Sequence, residues 1–591
     1  MRMPKHYLQA YVMARAYICL PGEEPARGRE AVGHPFRATR RGAFVDGGQV
    51  GRRRTGTSAD GDELNLLGQR KWGARRLALA FAGLAMGMTL VCLGETIAGQ
   101  QMSSIRGKFT TSISAVWLEA GFLLTCVMLQ PVYIKLAEMF GRARPLCAAV
   151  VIFSAFSVLA GAGQSFEAVV VGRALQGAGG AGMMPLTLVV LTDITAAGQR
   201  VMWINLLGVA ILAGKWVGPV IGALGVEHGS AWRWTYYAPA IWGLLTLGIM
   251  AATLRGMPAP PVNYGRARSG KSDRPLWRDF DLLGMALWSA GSLMLLTGLV
   301  LGGNVRPWGS AVVLCLIILG TSLLLVFGAV EWKVARWPMV PLRVVGRPRS
   351  LLALAGSFFA GMCMYTSVLF IPLIYSTALE RAASNAGLQI LWCLLGGLVG
   401  LAVSTVAGWQ RKCYYLLNLV GLAIITVGNG LMMLWNAGEQ PALKPAIQVI
   451  TGFGLGLCIQ QMLLAAQDGV PATDIATVTT LVDYARTFGG MIGLVVGLSI
   501  LRTWVSHRVI PILKGIPLFS LTTGGNDLTS IDITEIGPHI PVLRKAFPSI
   551  VSAAINEAFR GFHVLFILNA VYAFTALAFF VFVRQLPARS L

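Results

Sequence analysis

The chain has 591 residues, 55% of them apolar and only 13% charged, with a mean hydropathy of +0.64. An ordinary soluble domain carries about 25% charged residues. The composition therefore excludes a set of soluble domains and a disordered chain, and 70 glycines without a three-residue period exclude collagen. It is the composition of an integral membrane protein. The formal charge of +23 can signal nucleic-acid binding, but here the basic residues sit in loops, where membrane topology also puts them. A lipid bilayer, and no nucleic acid, is the expected partner.

Residues 1–76 hold 15 basic and 7 acidic residues, including Arg52, Arg53 and Arg54 in a row. Such a segment reads as a disordered, basic, cytosolic tail. Glu23, Glu24, Glu30 and Asp46 speak against a transit peptide, which is poor in acids. A helix needs about 20 apolar residues to cross a bilayer. Fourteen segments qualify: 77–98, 112–134, 145–163, 167–193, 203–225, 234–254, 282–302, 311–332, 351–377, 386–408, 414–436, 446–467, 477–501 and 561–584. The first is no cleavable signal peptide, because 76 residues precede it and more spans follow. The short loops after even-numbered spans, with the C-terminus, hold 19 Lys and Arg, against six after odd-numbered spans. The positive-inside rule then puts both termini in the cytosol, as an even number of spans requires. The longest outside loop is 502–560, the largest cytosolic loop is 255–281, and 585–591 is a short cytosolic tail. The nine cysteines are scattered, so neither a disulfide framework nor metal spacing is expected.

Two nucleotide-binding patterns occur. Gly177-Ala-Gly179-Gly180-Ala-Gly182 fits GxGxxG, yet it lies mid-span, where backbone N–H groups are already used by the helix. Close helix packing explains it better. Gly265 to Ser272 fits GxxxxGK[ST] in full, but in a short polar loop after Pro258, Pro260 and Pro261, with no strand to present it. Lys271→Ala should accordingly leave the protein's activity unchanged. Loss of an ATP-dependent activity in that variant would overturn this reading.

Charges inside spans are expensive and mark function by default. The candidates are Glu95 in span 1, Glu119 in span 2, Arg173 in span 4, Lys215 in span 5, and Asp483 with Arg486 in span 13. Structural ion pairs are the competing explanation, and for Asp483 and Arg486, near a span edge, snorkelling is another. Glu119 satisfies the depth requirement of a proton-carrying acid best, with Glu95 as competitor and Arg173, Gln176 and Lys215 as candidate partners.

Span 4 reads Gly172-Arg173-Ala-Leu-Gln176-Gly177, span 5 carries Gly214-x-x-x-Gly218-Pro219-x-x-Gly222-Ala223, and the loop after span 2 reads Leu136-Ala137-Glu138-Met139-Phe140-Gly141-Arg142. These resemble motifs B, C and A of the major facilitator superfamily. With Trp232-Arg233-Trp234 and Phe280-Asp281-Leu-Leu-Gly284, the chain is similar to the fungal 14-span drug:proton antiporter branch, over about Leu77 to Arg584. The chain departs from the pattern at Ile134, Glu138, Ala143, Ala223 and Gly94, where the family has Gly, Asp, Lys, Gly and Asp. The resemblance implies an all-α membrane fold with two six-helix halves, 77–254 and 351–584, around an inserted pair, 282–332. It also implies gating and packing roles for Glu138, Gly141, Arg142, Gly214, Gly218, Pro219 and Gly222. In the sequence itself, the loop after span 10 echoes that after span 2, and Gly452-Phe-Gly454-Leu-Gly456 echoes the glycines of span 4. Such repeats place a substrate site at their interface near the midplane. Met183, Met184, Tyr375, Gln460, Gln461, Met462 and Gln467 are the candidate cavity residues.

The expected function is proton-coupled efflux of small, largely apolar organic molecules, with no cofactor beyond the proton gradient, in the plasma membrane or alternatively the vacuolar one. Movement of an iron chelate or a basic amino acid is the alternative within the same fold. A receptor or scaffold needs no charged span 4 beside a Gly-Pro run in span 5. An enzyme is not expected, since no span holds a His cluster or a Ser/His/Asp set.

Overall fold

The computed structural model of the protein describes residues 73–585 except 102–104, 106–107, 110–113, 197–198, 228, 256, 258–280, 334–344, 378–387, 411–412, 437, 439–441, 469, 472–473 and 514–546. The tail up to residue 72 and the pattern at Gly265–Ser272 lie outside the described residues. Among the described residues, fourteen helices are long and apolar enough to cross a membrane. They are α1 (Ala74–Thr96), α2 (Trp117–Phe140), α3 (Ala143–Ala162), α4 (Phe166–Ile194), α5 (Arg200–Glu227), α6 (Trp234–Thr253) and α7 (Leu282–Leu301). Then follow α8 (Ala311–Lys333), α9 (Pro348–Thr377), α10 (Leu391–Gln410), α11 (Tyr414–Leu431), α12 (Leu443–Cys458), α13 (Ile475–Trp504) and α14 (Pro548–Gln585). After α12 the helix resumes as Gln461–Gln467, and after α13 a π turn leads on to Leu513.

Several helix ends differ from the apolar runs. The loop expected at 502–560 is shorter at both ends, because α13 winds on to Leu513 and α14 starts at Pro548. Polar residues do not stop a helix, and proline at its first position is tolerated. α2 begins at Trp117 and runs past the apolar stretch to Phe140. Gly141 then stops it at φ 82°, a conformation that favours glycine. Asp281 caps α7, accepting a hydrogen bond from the Gly284 backbone at 2.8 Å. Arg233 donates to the carbonyls of Gly161 and Gly163 at 2.9 and 2.8 Å, closing the free C-terminal end of α3.

The packing is a repeat. In the first half α1 packs on α5 and α6, α2 on α4, and α3 on α4 and α6. Adding eight to each number gives the second half: α9 on α13 and α14, α10 on α12, and α11 on α12 and α14. The seam follows the same rule, with α5 on α10 and α2 on α13. The inserted pair, α7 and α8, pack on each other, and α7 lies against α2 and α13.

Glycines permit the close approaches, as the repeat in sequence implied. A Cβ on Gly177 would lie 2.2 Å from the Phe122 carbonyl oxygen of α2, and one on Gly179 2.4 Å from the Phe153 nitrogen of α3. In the second half, a Cβ on Gly452 would lie 2.0 Å from the Cys393 oxygen of α10. The GxGxxG run is therefore a packing surface. Gly218 does the same for α5 against α1: a Cβ there would come within 2.0 Å of Thr96 Oγ1 and 3.1 Å of the Leu93 oxygen. Gly218→Val should force α1 and α5 apart and cut transport at least tenfold, while the protein still reaches its membrane. Normal transport at normal expression would overturn this expectation.

Candidate functional site

Two buried carboxylates, each near a buried cation, meet at the seam between the halves. Glu95 lies in the last turn of α1 and Glu119 in the first turn of α2, and both are almost fully buried. Lys215 of α5 pairs with Glu95 Oε2, and Tyr365 of α9 donates its hydroxyl hydrogen to Glu95 Oε1 at 2.6 Å. The Lys215 ammonium also lies 4.0 Å from the Tyr365 ring centroid, a cation–π contact. Glu95 thus joins α1 and α5 of the first half to α9 of the second.

Arg173 is wholly buried on α4. It donates to the carbonyls of Leu118 (3.2 Å) and Gly94 (2.8 Å) and to Gln176 Oε1 (2.8 Å), and its guanidinium lies 4.5 Å from the Phe122 ring centroid. Gln176 passes the chain on to Ser157 at 3.0 Å. Glu119 Oε2 is 3.6 Å from Arg173 Nη2, an ion pair longer than a hydrogen bond, and neither atom has a hydrogen-bond partner among the described residues. The two acids are held differently, Glu95 tightly and Glu119 loosely. Glu95 is at least as buried as Glu119. A polar cavity with about 380 Å³ of space between atoms is lined by Glu95, Glu119, Lys215, Pro219 and Tyr365, among others.

Further polar contacts cross the seam nearer the basic-loop end. Asp483 pairs with Arg486 of its own helix and accepts from Gln130 of α2 at 2.8 Å, so neither residue snorkels. Gln461 donates to Asn205 of α5 (3.1 Å) and to Ser404 of α10. Tyr365, Gln130, Asn205 and Ser404 escaped the sequence reading. An uncharged polar residue mid-span was the signal available, and many such residues only bond their own helix.

The loop motif divides. Arg142 pairs with Asp193 at the end of α4, joining two helix ends. Glu138 does not join them: it pairs with Lys135 on α2 at 2.9 Å and is half exposed. Gly214, like Gly218, faces α1, and a Cβ there would lie 2.6 Å from Cys92 Cβ. The Gly222 carbonyl accepts from Gln101 at 3.2 Å, and Gln101 also donates to Thr235 of α6 at 3.0 Å.

A second cavity, apolar, lies among α9 to α14 with Trp216 of α5 on its wall. Of the candidate cavity residues Met462 lines it, whereas Met183, Met184, Tyr375, Gln460, Gln461 and Gln467 line neither cavity. Met183 and Met184 are packed in the core, Tyr375 meets Gln448 (3.3 Å) and the Trp435 ring, and Gln467 donates to Thr479 (2.7 Å). Helix-spaced methionines and aromatics serve packing more often than binding.

Known proteins resemble this chain in sequence and fold. The chain is 27% identical to "Efflux pump dotC" of Dothistroma septosporum over 76% of its own length and 75% of that protein's. It is 25% identical to "MFS-type efflux pump MMF1" of Pseudozyma antarctica, over 88% and 93% respectively. Among solved structures, a POT family peptide transporter in an auto-inhibited form aligns with a TM-score of 0.53 at 16% identity, covering 87% of this chain and 97% of that one. A bacterial homologue of the human lysosomal transporter Spinster aligns at 0.51 and 14%, covering 87% and 98%. The sequence profile described as Major Facilitator Superfamily matches residues 77–494, and the chain, with fourteen membrane-length helices among its described residues, belongs to that superfamily.

Proposed function

We propose that the protein is a proton-coupled secondary transporter that exports small, largely apolar organic compounds across the plasma membrane, both chain ends facing the cytosol. The observation that carries this reading is the pair of buried carboxylates, each near its own cation, in a seam cavity beside an apolar one. Uptake or loss of a proton at either acid changes the charge balance across helices of both halves. The halves, packed by one repeated rule, then have two arrangements of similar energy to exchange between. The efflux pumps among the relatives support the export direction. The apolar cavity disfavours a basic amino acid as cargo: Arg486 and its partner Asp483 cancel, and among the described residues nothing else charged lines the wall.

The test is reconstitution of the full chain in liposomes with an imposed pH gradient and a lipophilic fluorescent dye. Dye movement should follow the gradient, stop with a protonophore, and ignore ATP. Movement that needs ATP, or that survives collapse of the gradient, would overturn the proposal.

A further inference from the structure

We propose that the apolar cavity is a recognition subsite for a neutral aromatic ring system bearing a hydrogen-bond acceptor such as a ring carbonyl, with Trp216 as the donor that reads it. Sulfur carries the first part of the argument. Cys363 and Met364 of α9, Cys393 of α10, Cys458 of α12 and Met462 of the helix that resumes after it all line the cavity. Five of its fifteen lining residues thus carry sulfur, in a chain with 9 cysteines and 22 methionines among 591 residues. Divalent sulfur is soft and polarisable and makes favourable contacts with aromatic ring edges. A wall contributing sulfur from several helices favours an aromatic ligand over a saturated one of equal size.

The hydrogen-bond inventory carries the second part. Ser367 donates to the Cys363 carbonyl (2.8 Å), Thr451 to the Ile447 carbonyl (2.9 Å), and Arg486 pairs with Asp483. These polar groups of the wall are occupied. Trp216 is 1% exposed, it lines the cavity, and its buried Nε1 has no hydrogen-bond partner among the described residues. A buried N–H without an acceptor is costly, and a ligand acceptor inside the cavity relieves that cost. The neutral balance of Asp483 and Arg486 argues that the ligand is uncharged. Trp216 also follows Lys215 on α5, so one helix turn touches both the apolar cavity and the polar one, and Met364 lines both. Ligand held at Trp216 is therefore one residue from the Lys215–Glu95 pair.

That this ligand is cargo rests on the transport reading, but binding is measured without it. The probes are 9-fluorenone and fluorene, which share a rigid ring system and differ in the carbonyl. Binding of each to the purified full-length protein in detergent, with no gradient, should favour fluorenone by about five- to tenfold, the worth of one net hydrogen bond. Trp216→Phe should bring that ratio near one while leaving fluorene binding and thermal stability unchanged. Met462→Leu with Cys458→Ala should weaken both probes equally. Fluorenone should also slow maleimide labelling of Cys393 and Cys458, read by peptide mass. A preference that persists in Trp216→Phe, absent protection, or no binding of either probe would overturn the subsite. Fluorenone that binds through Trp216 and is never pumped would leave the subsite standing and overturn the transport reading.

Discussion

Glu119→Gln should fold, bind a lipophilic dye as the parent does, and lose at least tenfold of its pH-gradient-driven transport. The local geometry explains why folding survives. Arg173 keeps its bonds to the Leu118 and Gly94 carbonyls and to Gln176, so its charge stays solvated when Glu119 is neutralised. Little hydrogen bonding is lost either, since Glu119 Oε2 makes none. An acid held loosely near a cation, on the wall of the seam cavity, can exchange a proton without dismantling its surroundings. What glutamine removes is the change of charge. The two functions separate in one preparation: dye exchange without a gradient should persist in Glu119→Gln, while accumulation driven by the gradient should fail. Normal accumulation would pass the role to Glu95.

The bundle was legible because each span is a local signal: about 20 apolar residues suffice, whatever they pack against. The glycine runs were legible for the same reason, and the structure gives Gly177, Gly179 and Gly218 the close approaches that small residues permit. Partner choice was not. Glu95 meets Lys215 and Tyr365 at sequence separations of 120 and 270, and no periodicity encodes such distances. The loop motif shows the boundary well. Its basic residue, Arg142, finds an acid 51 positions away in Asp193, while Glu138, the residue that stood out beside it, only bonds its own helix. Most of the candidate cavity residues lie off the two cavities for a related reason. Met183, Tyr375 and Gln461 have the right chemistry for a wall, but which side of a wholly buried helix meets a void is decided by packing across the bundle. Helix ends were misjudged where polarity was taken for a stop, as in the turns that carry α13 to Leu513.

Glu95→Gln should behave in the opposite way and damage the fold first. It leaves the Lys215 ammonium, 2% exposed, facing a neutral amide. Removing one partner of a buried ion pair typically costs about 3–5 kcal/mol, because an uncompensated charge stays behind. Tyr365 loses a charged acceptor at the same time, so the link between α1 and α9 weakens. The expected readout is a large fall in thermal stability of the detergent-solubilised protein, measured beside Glu119→Gln, which should show almost none. Replacing both partners removes the stranded charge: Glu95→Gln with Lys215→Met should recover most of the stability, since an apolar side chain of similar length suits a buried site. Transport then separates the two roles. A stable double variant that still pumps would make the Glu95–Lys215 pair a fastener between helices. A stable double variant that exchanges dye but cannot accumulate it would make the pair part of the coupling, acting across the seam through Tyr365. Unchanged stability in Glu95→Gln alone would contradict the buried pair itself.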